Sequence, residues 1–360
     1  MINQDYFEEL FVLEMANNHW GNLDRGLKII DQFSKIVRFN NVRASIKLQF
    51  RDVDNFIHKD FRKRTDVRYI KKTIDTKMSR KDLATLVAAI RDSGCIPSAT
   101  PFDEISVDFC EELDLPFLKL ASSDVNDWFL IERIAKAKKP VLASSGGTSV
   151  KDLDDLVAFF EKRHVPLGLN HCVSLYPTPI ENLELNQIDY LRNRYPGHAI
   201  GFSTHEYQDW EKSLIIAYAK GARTFERHID IEKDGMGVSP YCSLPHQIDT
   251  WFKCFQAAKA MCGIPGTSKR KCPPEETKYL DALIRGVYAA KNLSKGRKIS
   301  AEDLYLAVPL QKGQLSSREV MEGQILLNDV KKDQALTIHS VDTPYASNST
   351  LQRIVLERGL

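Results

Sequence analysis

Short apolar runs recur along the first 230 residues, and most are followed by a segment whose apolar positions have helical spacing. Eight runs predict β-strands, at 10–16, 43–50, 95–100, 116–122, 140–145, 166–172, 199–204 and 222–228. The runs are nearly continuous and do not alternate strictly, which is typical of parallel strands whose outer face is covered. The pattern therefore predicts eight parallel strands covered by the segments between them.

Amphipathic helices are predicted between the strands. The clearest patterns lie at 23–37, 79–94, 149–163 and 244–263. The second begins after Ser79, a residue type that caps helix N-termini, and ends at a glycine. Eight strand–helix units over about 250 residues predict a (β/α)₈ TIM barrel of the α/β class. An open doubly wound sheet is the alternative, although no glycine-rich phosphate loop follows the first strand.

The pattern changes after residue 263, where the chain becomes rich in Pro, Gly and Lys. We predict a barrel domain at 1–263, a linker at 264–280, a small β-rich domain at 281–345 and a tail at 346–360. Short β-like runs in the small domain surround the turns "LSKG" and "VKKD". The tail has room for one final helix.

Composition narrows the function classes. Fifty basic and 48 acidic residues give a net charge of +2, which does not favour general nucleic-acid binding. No apolar run approaches the length that a membrane span needs, so no membrane partner is expected. The seven cysteines include no CxxC pair, and several lie within apolar runs, which indicates reduced thiols in a cytoplasmic protein.

Polar side chains stand near the C-terminal ends of the predicted strands, where TIM barrels carry their active sites. They are Glu14, Lys47, Gln49, Thr100, Lys119, Ser144, His171, His205 and His228. A buried lysine or histidine costs free energy without a partner, so many of them at one rim indicate a site. His205 and His228 end strands that are neighbours in a closed barrel, so we expect them to converge.

The residue types suggest what such a site would bind. Two imidazoles suit an open, partly hydrated site for Mn²⁺, Mg²⁺ or Zn²⁺ acting as a Lewis acid. Lys47 and Lys119 together suit a phosphate or carboxylate, although each alone is more readily explained as a structural residue. Glu14 is a candidate general base. The stretch "SSGG" at 144–147 is either a plain turn or a backbone nest for an anion.

Eight segments, taken in order, resemble the sialic acid synthases, the phosphoenolpyruvate-dependent N-acetylneuraminate synthase family. They read "EMANNHWGN" (14–22), "IKLQ" (46–49), "ATPFDEISVDFCEEL" (99–113), "LKLASSD" (118–124), "PVLASSGG" (140–147), "HCVSLYPTP" (171–179), "GFSTH" (201–205) and "FERH" (225–228). The stretch 285–304 resembles the family's C-terminal antifreeze-like SAF domain, a β-clip fold. The resemblance covers nearly the whole chain.

The resemblance implies an enzyme that joins phosphoenolpyruvate to a sugar aldehyde and gives a 2-keto-3-deoxy (ulosonic) acid and phosphate. It implies a divalent metal on His205 and His228, with Mn²⁺ first and Mg²⁺, Co²⁺ or Zn²⁺ as alternatives. The implied phosphoenolpyruvate contacts are Lys47, Gln49, Thr100, Lys119, Ser122, Ser144 and Ser203. Glu14 is implied as the acid/base carboxylate and Tyr176 as a sugar contact. A homodimer is also implied, in which each small domain caps the partner's barrel.

The sequence departs from the family pattern on the sugar side. Ser174 stands where the family usually has Asn, Ser239 where it has Asp, and Val308 where it has an Arg that meets the N-acetyl group. Asp124 and Thr204 likewise replace other acids of the pattern. The expected acceptor is therefore a sugar other than plain N-acetylmannosamine.

Two other interpretations remain open at this stage. One is an aldolase or lyase in which Lys119 forms a Schiff base with pyruvate and no metal is needed. The other is a non-catalytic carbohydrate-binding protein that shares the fold. For the segment 50–72, which is rich in Arg, Lys and aromatic residues, a solvated surface insertion is favoured over a lid.

Overall fold

The computed structural model describes residues 4–232, 235, 237–264 and 266–360, and the chain divides into two compact units between Gly263 and Ile264. The first unit contains eight strands. These are β1 Leu10–Ala16, β2 Ala44–Phe50, β3 Ile96–Pro101, β4 Leu118–Leu120, β5 Val141–Ser144, β6 Leu167–Cys172, β7 Ala199–Thr204 and β8 Thr224–His228. They pair in parallel and in chain order into a closed barrel. The predicted TIM barrel is confirmed.

Helices alternate with these strands, and two further helices lie in the connection that follows β2. The helices of the first unit are α1 Leu23–Asn40, α2 Val53–Phe56, α3 Arg68–Asp75, α4 Arg80–Asp92, α5 Glu104–Glu112, α6 Trp128–Lys136, α7 Val150–Lys162, α8 Asn186–Arg194, α9 Trp210–Ala219 and α10 Pro245–Cys262. Ser79 caps α4 as predicted, because its hydroxyl accepts the Asp82 N–H at 3.1 Å. None of the helices described has the length and apolar character that a membrane span requires.

Alternate residues of each strand face opposite sides of the barrel wall. In β1, Phe11 belongs to the core between the barrel and its helices. Its ring centroid lies 4.8 Å from that of Phe252 on α10. Leu10 and Val12 belong instead to the small apolar cluster inside the barrel, together with Phe7 from the N-terminal segment. The next inward position of β1 is Glu14, so one strand runs from an apolar floor to a charged upper end.

The middle of the barrel is polar and hydrogen-bonded. The Ser45 and Ser98 hydroxyls lie 2.6 Å apart, and the Thr224 hydroxyl donates to the Asn170 side-chain oxygen. Gly201 lies against this second pair, because a Cβ built there would stand 1.7 Å from the Thr224 hydroxyl oxygen. The absence of a side chain at Gly201 therefore allows strands β6, β7 and β8 to close around the polar pair.

The second unit is a small β-rich domain. Strands β9 Gly286–Ala289 and β10 Leu304–Ala307 form an antiparallel pair, and isolated bridges join the remaining extended segments. A separate apolar core fills it, contributed by Val287, Ala289, Leu293, Ile299, Leu315, Leu326, Val330, Leu336, Ile338, Val341 and Val355. The stretch predicted as a linker contains helix α11 Pro274–Asp281. The C-terminal region holds α12 Pro344–Ser347 and α13 Ser349–Leu356, where one helix was expected.

We predict that Gly201→Ala destabilises the barrel by about 2 kcal/mol or more, because the new methyl group overpacks the polar pair behind it. All four tryptophans precede residue 263, so their fluorescence reports unfolding of the first unit. The measurement is the urea midpoint of that signal. Gly197→Ala is the control, since no atom lies within 4 Å of its new Cβ. Equal midpoints for both variants would contradict the packing argument.

Candidate active site

A cavity of about 620 Å³ lies at the C-terminal ends of the barrel strands, and each of the eight strands or the turn directly after it contributes to its wall. This volume is within the range of small-molecule sites, about 300–1,000 Å³. Twelve of the residues predicted from the sequence line it. They are Glu14, Lys47, Gln49, Thr100, Lys119, Ser122, Ser144, Ser174, Tyr176, Ser203, His205 and His228.

Four charged side chains of the cavity wall, Glu14, Lys47, Lys119 and Glu226, are almost fully buried. The Lys47 ammonium forms an ion pair with Glu14 and lies 3.5 Å from the Glu226 carboxylate. Lys119 approaches the other oxygen of Glu226 at 3.8 Å. Carboxylates and ammonium groups thus alternate. This arrangement compensates charges that would be costly to bury singly.

Hydroxyl groups complete the coordination of the two ammonium groups. Lys47 donates to the Thr100 hydroxyl at 2.9 Å, and Lys119 donates to the Ser144 hydroxyl. Burial is the main cause that lowers the pKa of Lys47 to about 8, and it exceeds the opposing effect of Glu226. Burial acts to raise the pKa of Glu226. The ammonium groups of Lys119 and Lys47 outweigh it and hold that pKa below its usual value. Glu226 is therefore a carboxylate at neutral pH.

His205 and His228 converge at the side of the cavity formed by β7 and β8, with ring centroids 5.3 Å apart. The Nδ1 atom of His205 lies 3.0 Å from the Val173 carbonyl oxygen. A carbonyl only accepts, so Nδ1 carries the proton and Nε2 keeps a free lone pair. Burial lowers the pKa of His205 to about 4, and it also holds the pKa of His228 well below its ordinary value. Both imidazoles are neutral at neutral pH.

This donor set fits a divalent cation in an open site. Metal binding requires neutral imidazole, which is the form that burial favours here. Within the described residues, no group of three or more His, Cys, Asp or Glu side chains comes together to hold a metal. A closed structural zinc site is thus not formed by these residues, whereas two nitrogen ligands with the other positions left to water or substrate suit a catalytic ion.

A pocket of hydroxyl groups lies on the side of the cavity formed by β4, β5 and β6. The Gly146 N–H donates to the Ser122 hydroxyl at 3.0 Å. A Cβ at Gly146 would stand 2.3 Å from the Ser174 hydroxyl oxygen, so a larger residue here would displace the hydroxyl groups of the pocket. Together with the adjacent Lys119–Ser144 pair, these groups offer several donors to the oxygens of a phosphate.

Two predicted site residues do not line the cavity. Asp124 lies in the short 3₁₀ turn after β4, where its carboxylate accepts the Ser123 hydroxyl at 2.8 Å and burial raises its pKa to about 6. Ser239 lies on the loop after β8, beside Tyr241, which does line the cavity. Both positions lie on turns after the strands. Although each is close in sequence to residues that line the cavity, its own side chain does not reach the cavity wall.

His171 was expected at the cavity mouth and faces the helix layer instead. Its Nε2 lies 2.7 Å from the Leu183 carbonyl oxygen, and its ring stacks on Phe202 with centroids 6.0 Å apart. Its neighbour Cys172 lines the cavity. Since adjacent strand residues face opposite sides, a strand-end position alone does not determine which side chain reaches the site.

Several lining residues were not predicted from the sequence. Alternation along β8 could have identified Glu226, because it lies two residues before His228 and shares its face. Arg51, Arg68 and Lys72 belong to the segment predicted as a solvated insertion, and they line the cavity. The expectation for that segment is corrected, since part of it forms the cavity wall.

Comparisons with known proteins agree with this geometry. The model of the NeuB family matches residues 41–264, and the model of the SAF domain matches residues 284–342. A solved structure from Chromobacterium violaceum, described as a spore coat polysaccharide biosynthesis protein E, is 34% identical. The match covers 93% of this chain and 100% of that chain with a TM-score of 0.89.

Two curated relatives are named as synthases. The N-acetylneuraminate-9-phosphate synthase of Drosophila melanogaster is 28% identical over 271 residues, which cover 68% of this chain and 71% of the relative. The pseudaminic acid synthase of Campylobacter jejuni is 26% identical over 307 residues, which cover 82% of this chain and 86% of the relative. The chain is therefore similar over most of its length to proteins that make acidic sugars.

We predict that His205→Gln weakens Mn²⁺ binding at least about 10-fold, since loss of a residue that merely orients a metal ligand already costs about 10- to 100-fold. Isothermal titration calorimetry with Mn²⁺ alone measures this. His171→Gln is the control, because that histidine ends a neighbouring strand but faces outward. If both variants lose Mn²⁺ affinity equally, or if His205→Gln loses none, His205 is not a metal ligand.

Proposed function

Because the chain belongs to the NeuB family, we propose that it condenses phosphoenolpyruvate with a sugar aldehyde other than plain N-acetylmannosamine. The relatives described above are synthases, and this chain is accordingly an enzyme of the transferase type. The observation that carries the proposal is one cavity that combines two buried lysines, a hydroxyl pocket and two neutral imidazoles. These groups suit a phosphorylated carboxylic acid and a carbonyl compound bound side by side.

Phosphoenolpyruvate would occupy the part of the cavity formed by β2 to β6. Its phosphate fits the hydroxyl pocket, where Lys119, Ser122, Ser144 and Ser174 surround the Gly146 turn. Its carboxylate fits Lys47, whose ammonium group already contacts Thr100. In this orientation, charge-assisted hydrogen bonds hold both anionic ends of the substrate. The C3 atom is then directed toward the imidazole side of the cavity.

The acceptor aldehyde would lie beside His205 and His228. A divalent metal held there, Mn²⁺ in our proposal, supplies a Lewis acid for the aldehyde oxygen. Tyr176 borders this space, with its ring centroid 4.1 Å from that of His205. The reaction joins C3 of phosphoenolpyruvate to the aldehyde carbon. Water adds to C2, and the C2–O bond then breaks to release phosphate.

Glu14 is the proposed acid/base residue for the addition of water. One of its oxygens accepts the Gln49 amide N–H at 3.2 Å, and the carboxylate forms an ion pair with Lys47. These contacts favour the ionised form and fix its orientation toward the cavity. A carboxylate in this position accepts the proton that the water loses when it attacks C2, and the oxygen of the former aldehyde gains a proton as the hydroxyl group of the product forms.

The acceptor side lacks the polar groups that the family pattern would supply for N-acetylmannosamine. Ser174 belongs to the hydroxyl pocket proposed for the phosphate, and Ser239 does not line the cavity, so neither supplies a contact in place of the family's Asn or Asp. Val308 stands at the sequence position of the family's arginine, and its side chain offers no hydrogen-bond donor. N-acetylmannosamine would then have polar groups without hydrogen-bond partners in the cavity. This cost favours an acceptor with different substituents. The homodimer remains a prediction.

We predict that phosphate is released from phosphoenolpyruvate only when an aldose acceptor and Mn²⁺ are both present. Inorganic phosphate is measured across a panel of aldoses. We expect EDTA to stop the release, Mn²⁺ to restore it, and kcat/KM for N-acetylmannosamine to be at least about 10-fold below that of the best acceptor. Turnover that survives EDTA, with borohydride trapping of pyruvate on Lys119, would favour the Schiff-base alternative. Full turnover with N-acetylmannosamine would contradict the acceptor assignment.

A second prediction concerns Glu14. Glu14→Gln keeps the size and polarity of the side chain but removes the proton acceptor, so kcat should fall by about 10²- to 10⁴-fold. The KM for phosphoenolpyruvate should not rise, because Lys47 loses a competing carboxylate. Glu9→Gln, near the other end of β1 and paired with Lys259 on the surface, is the matched control. A Glu14→Gln enzyme with more than half of the original kcat would exclude the assigned role.

A further inference from the structure

Three cationic side chains that the mechanism does not use line one side of the cavity. Arg51, Arg68 and Lys72 all come from the connection between β2 and α4. With Lys47 and Lys119 they make five Lys or Arg residues among the described lining residues, against the two carboxylates of Glu14 and Glu226. Glu14 contacts Lys47, and Glu226 contacts both Lys47 and Lys119, so neither lining carboxylate forms an ion pair with the three cations of the connection.

Arg51 is held in place by neutral groups. Its guanidinium donates to the Gln49 side-chain oxygen at 3.1 Å and to the Tyr69 hydroxyl at 2.9 Å, and it lies 3.6 Å from the Phe102 ring centroid. Its Nε is buried and has no hydrogen-bond partner in the described chain. Among those same residues no carboxylate forms an ion pair with it. Asp124 and Asp103 lie within electrostatic range of the guanidinium but form no ion pair with it, so Arg51 is oriented without a paired carboxylate.

Arg68 and Lys72 lie one turn apart on α3 and therefore share a face of the helix. Neither side chain has a hydrogen bond or an ion pair within the described ranges. Lys72 lies 6.0 Å from the Trp20 ring centroid and within electrostatic range of Asp230. That carboxylate is already paired with Arg25 at 2.8 Å, so it does not satisfy the lysine.

Arg68 and Lys72 lie across the barrel mouth from the hydroxyl pocket, whereas Arg51 lies between them, against Phe102 after β3 and within electrostatic range of Asp124 after β4. The connection begins after β2, and Lys72 is near Trp20, which follows β1, and within electrostatic range of His228 on β8. The hydroxyl pocket follows β4, β5 and β6. In a closed barrel of eight strands in chain order, these two groups of strands face each other. One small substrate at the hydroxyl pocket therefore leaves the second group of cations free.

We propose that the acceptor sugar carries an anionic substituent, a phosphate or a carboxylate, which is bound by Arg68 and Lys72 with Arg51 behind them. This inference rests on the proposed condensation, because it assigns the far end of the acceptor whose aldehyde lies beside His205 and His228. Arg68 is exposed and Lys72 is half-buried. Without ion-pair partners among the described residues, both can give charge-assisted contacts to such a group, which a neutral acceptor cannot receive. The alternative is that Arg68 and Lys72 bind the phosphate of phosphoenolpyruvate instead of the acceptor. The test below distinguishes these two roles.

The test uses acceptors that cannot react. Mannose 6-phosphate, mannuronic acid and mannose are reduced to their polyols, which lack the aldehyde, and are titrated calorimetrically into the full-length protein with Mn²⁺ and phosphoenolpyruvate. We expect at least one anionic polyol to bind at least about 10-fold more tightly than the neutral one. The two anionic forms distinguish a phosphate site from a carboxylate site. Neutral binding that equals or exceeds both anionic forms would overturn the proposal.

The double variant Arg68→Gln/Lys72→Gln should lose this preference, again by at least about 10-fold, and keep the affinity for phosphoenolpyruvate. Lys71→Gln is the matched control, since this exposed lysine on the same helix pairs with Asp75 and does not line the cavity. Thermal midpoints of the variants check that both remain folded. A double variant that loses phosphoenolpyruvate affinity and keeps anionic polyol binding would overturn the proposal.

Phosphate release, measured separately, distinguishes this inference from the proposed function. Tight binding of an anionic polyol that depends on Arg68 and Lys72, without phosphate release from phosphoenolpyruvate in the presence of any aldose, would support the anion site and contradict the condensation. Phosphate release without preference for anionic acceptors, and without an effect of the double variant on them, would support the condensation and contradict the anion site.

Discussion

Four buried charges at the upper end of the barrel depend on one another. Glu14, Lys47, Lys119 and Glu226 come from strands β1, β2, β4 and β8, and each contacts a group of opposite sign. Removing one partner of a buried pair typically costs about 3–5 kcal/mol, because the other charge is left uncompensated. The burial of Lys119 therefore depends on Glu226, and that of Lys47 depends on Glu14 and Glu226. An anionic substrate that reaches this layer competes with the carboxylates for the ammonium groups.

The charged layer exists because the barrel closes with a fixed register. Glu14 lies opposite Lys47 on one side and opposite His228 on the other, since β1 pairs with both β2 and β8. Alternate positions of every strand point inward, which brings Glu226 and His228 to the same cavity and turns His171 toward the helices. The register thus determines both the charge pairs and the position of the imidazoles. A shift by one residue in any strand would exchange its inward and outward faces.

This dependence explains how much of the molecule the sequence could predict. The strands and helices were evident from apolar runs and helical spacing, and β1 begins and ends where the pattern predicted. Most lining residues could be identified because strand ends meet at one face of a parallel barrel. Glu226 was missed because strand ends were considered without their alternation. Asp124 and Ser239 were placed by similarity alone, and the conformation of a turn after a strand is not determined by barrel geometry.

The connection after β2 shows where such reasoning stops. Arg68 and Lys72 reach the cavity because α3 packs beside the barrel mouth, and that position depends on tertiary contacts such as Arg51 with Phe102 and Tyr69. Apolar periodicity within the segment contains no information about where the helix packs. The proposed phosphoenolpyruvate contacts, in contrast, lie mainly on strands and on the tight turn at Gly146.

This difference has a consequence for specificity. Residues in the charged layer are constrained by their neighbours on adjacent strands, so the chemistry at this end of the cavity tolerates little change. Loops at the barrel mouth carry no such mutual constraint, because each one can change without altering the strand register. A connection that presents Arg68 and Lys72 can therefore alter the acceptor without disturbing the lysines. The barrel thereby separates the residues proposed to bind phosphoenolpyruvate from those that select its partner.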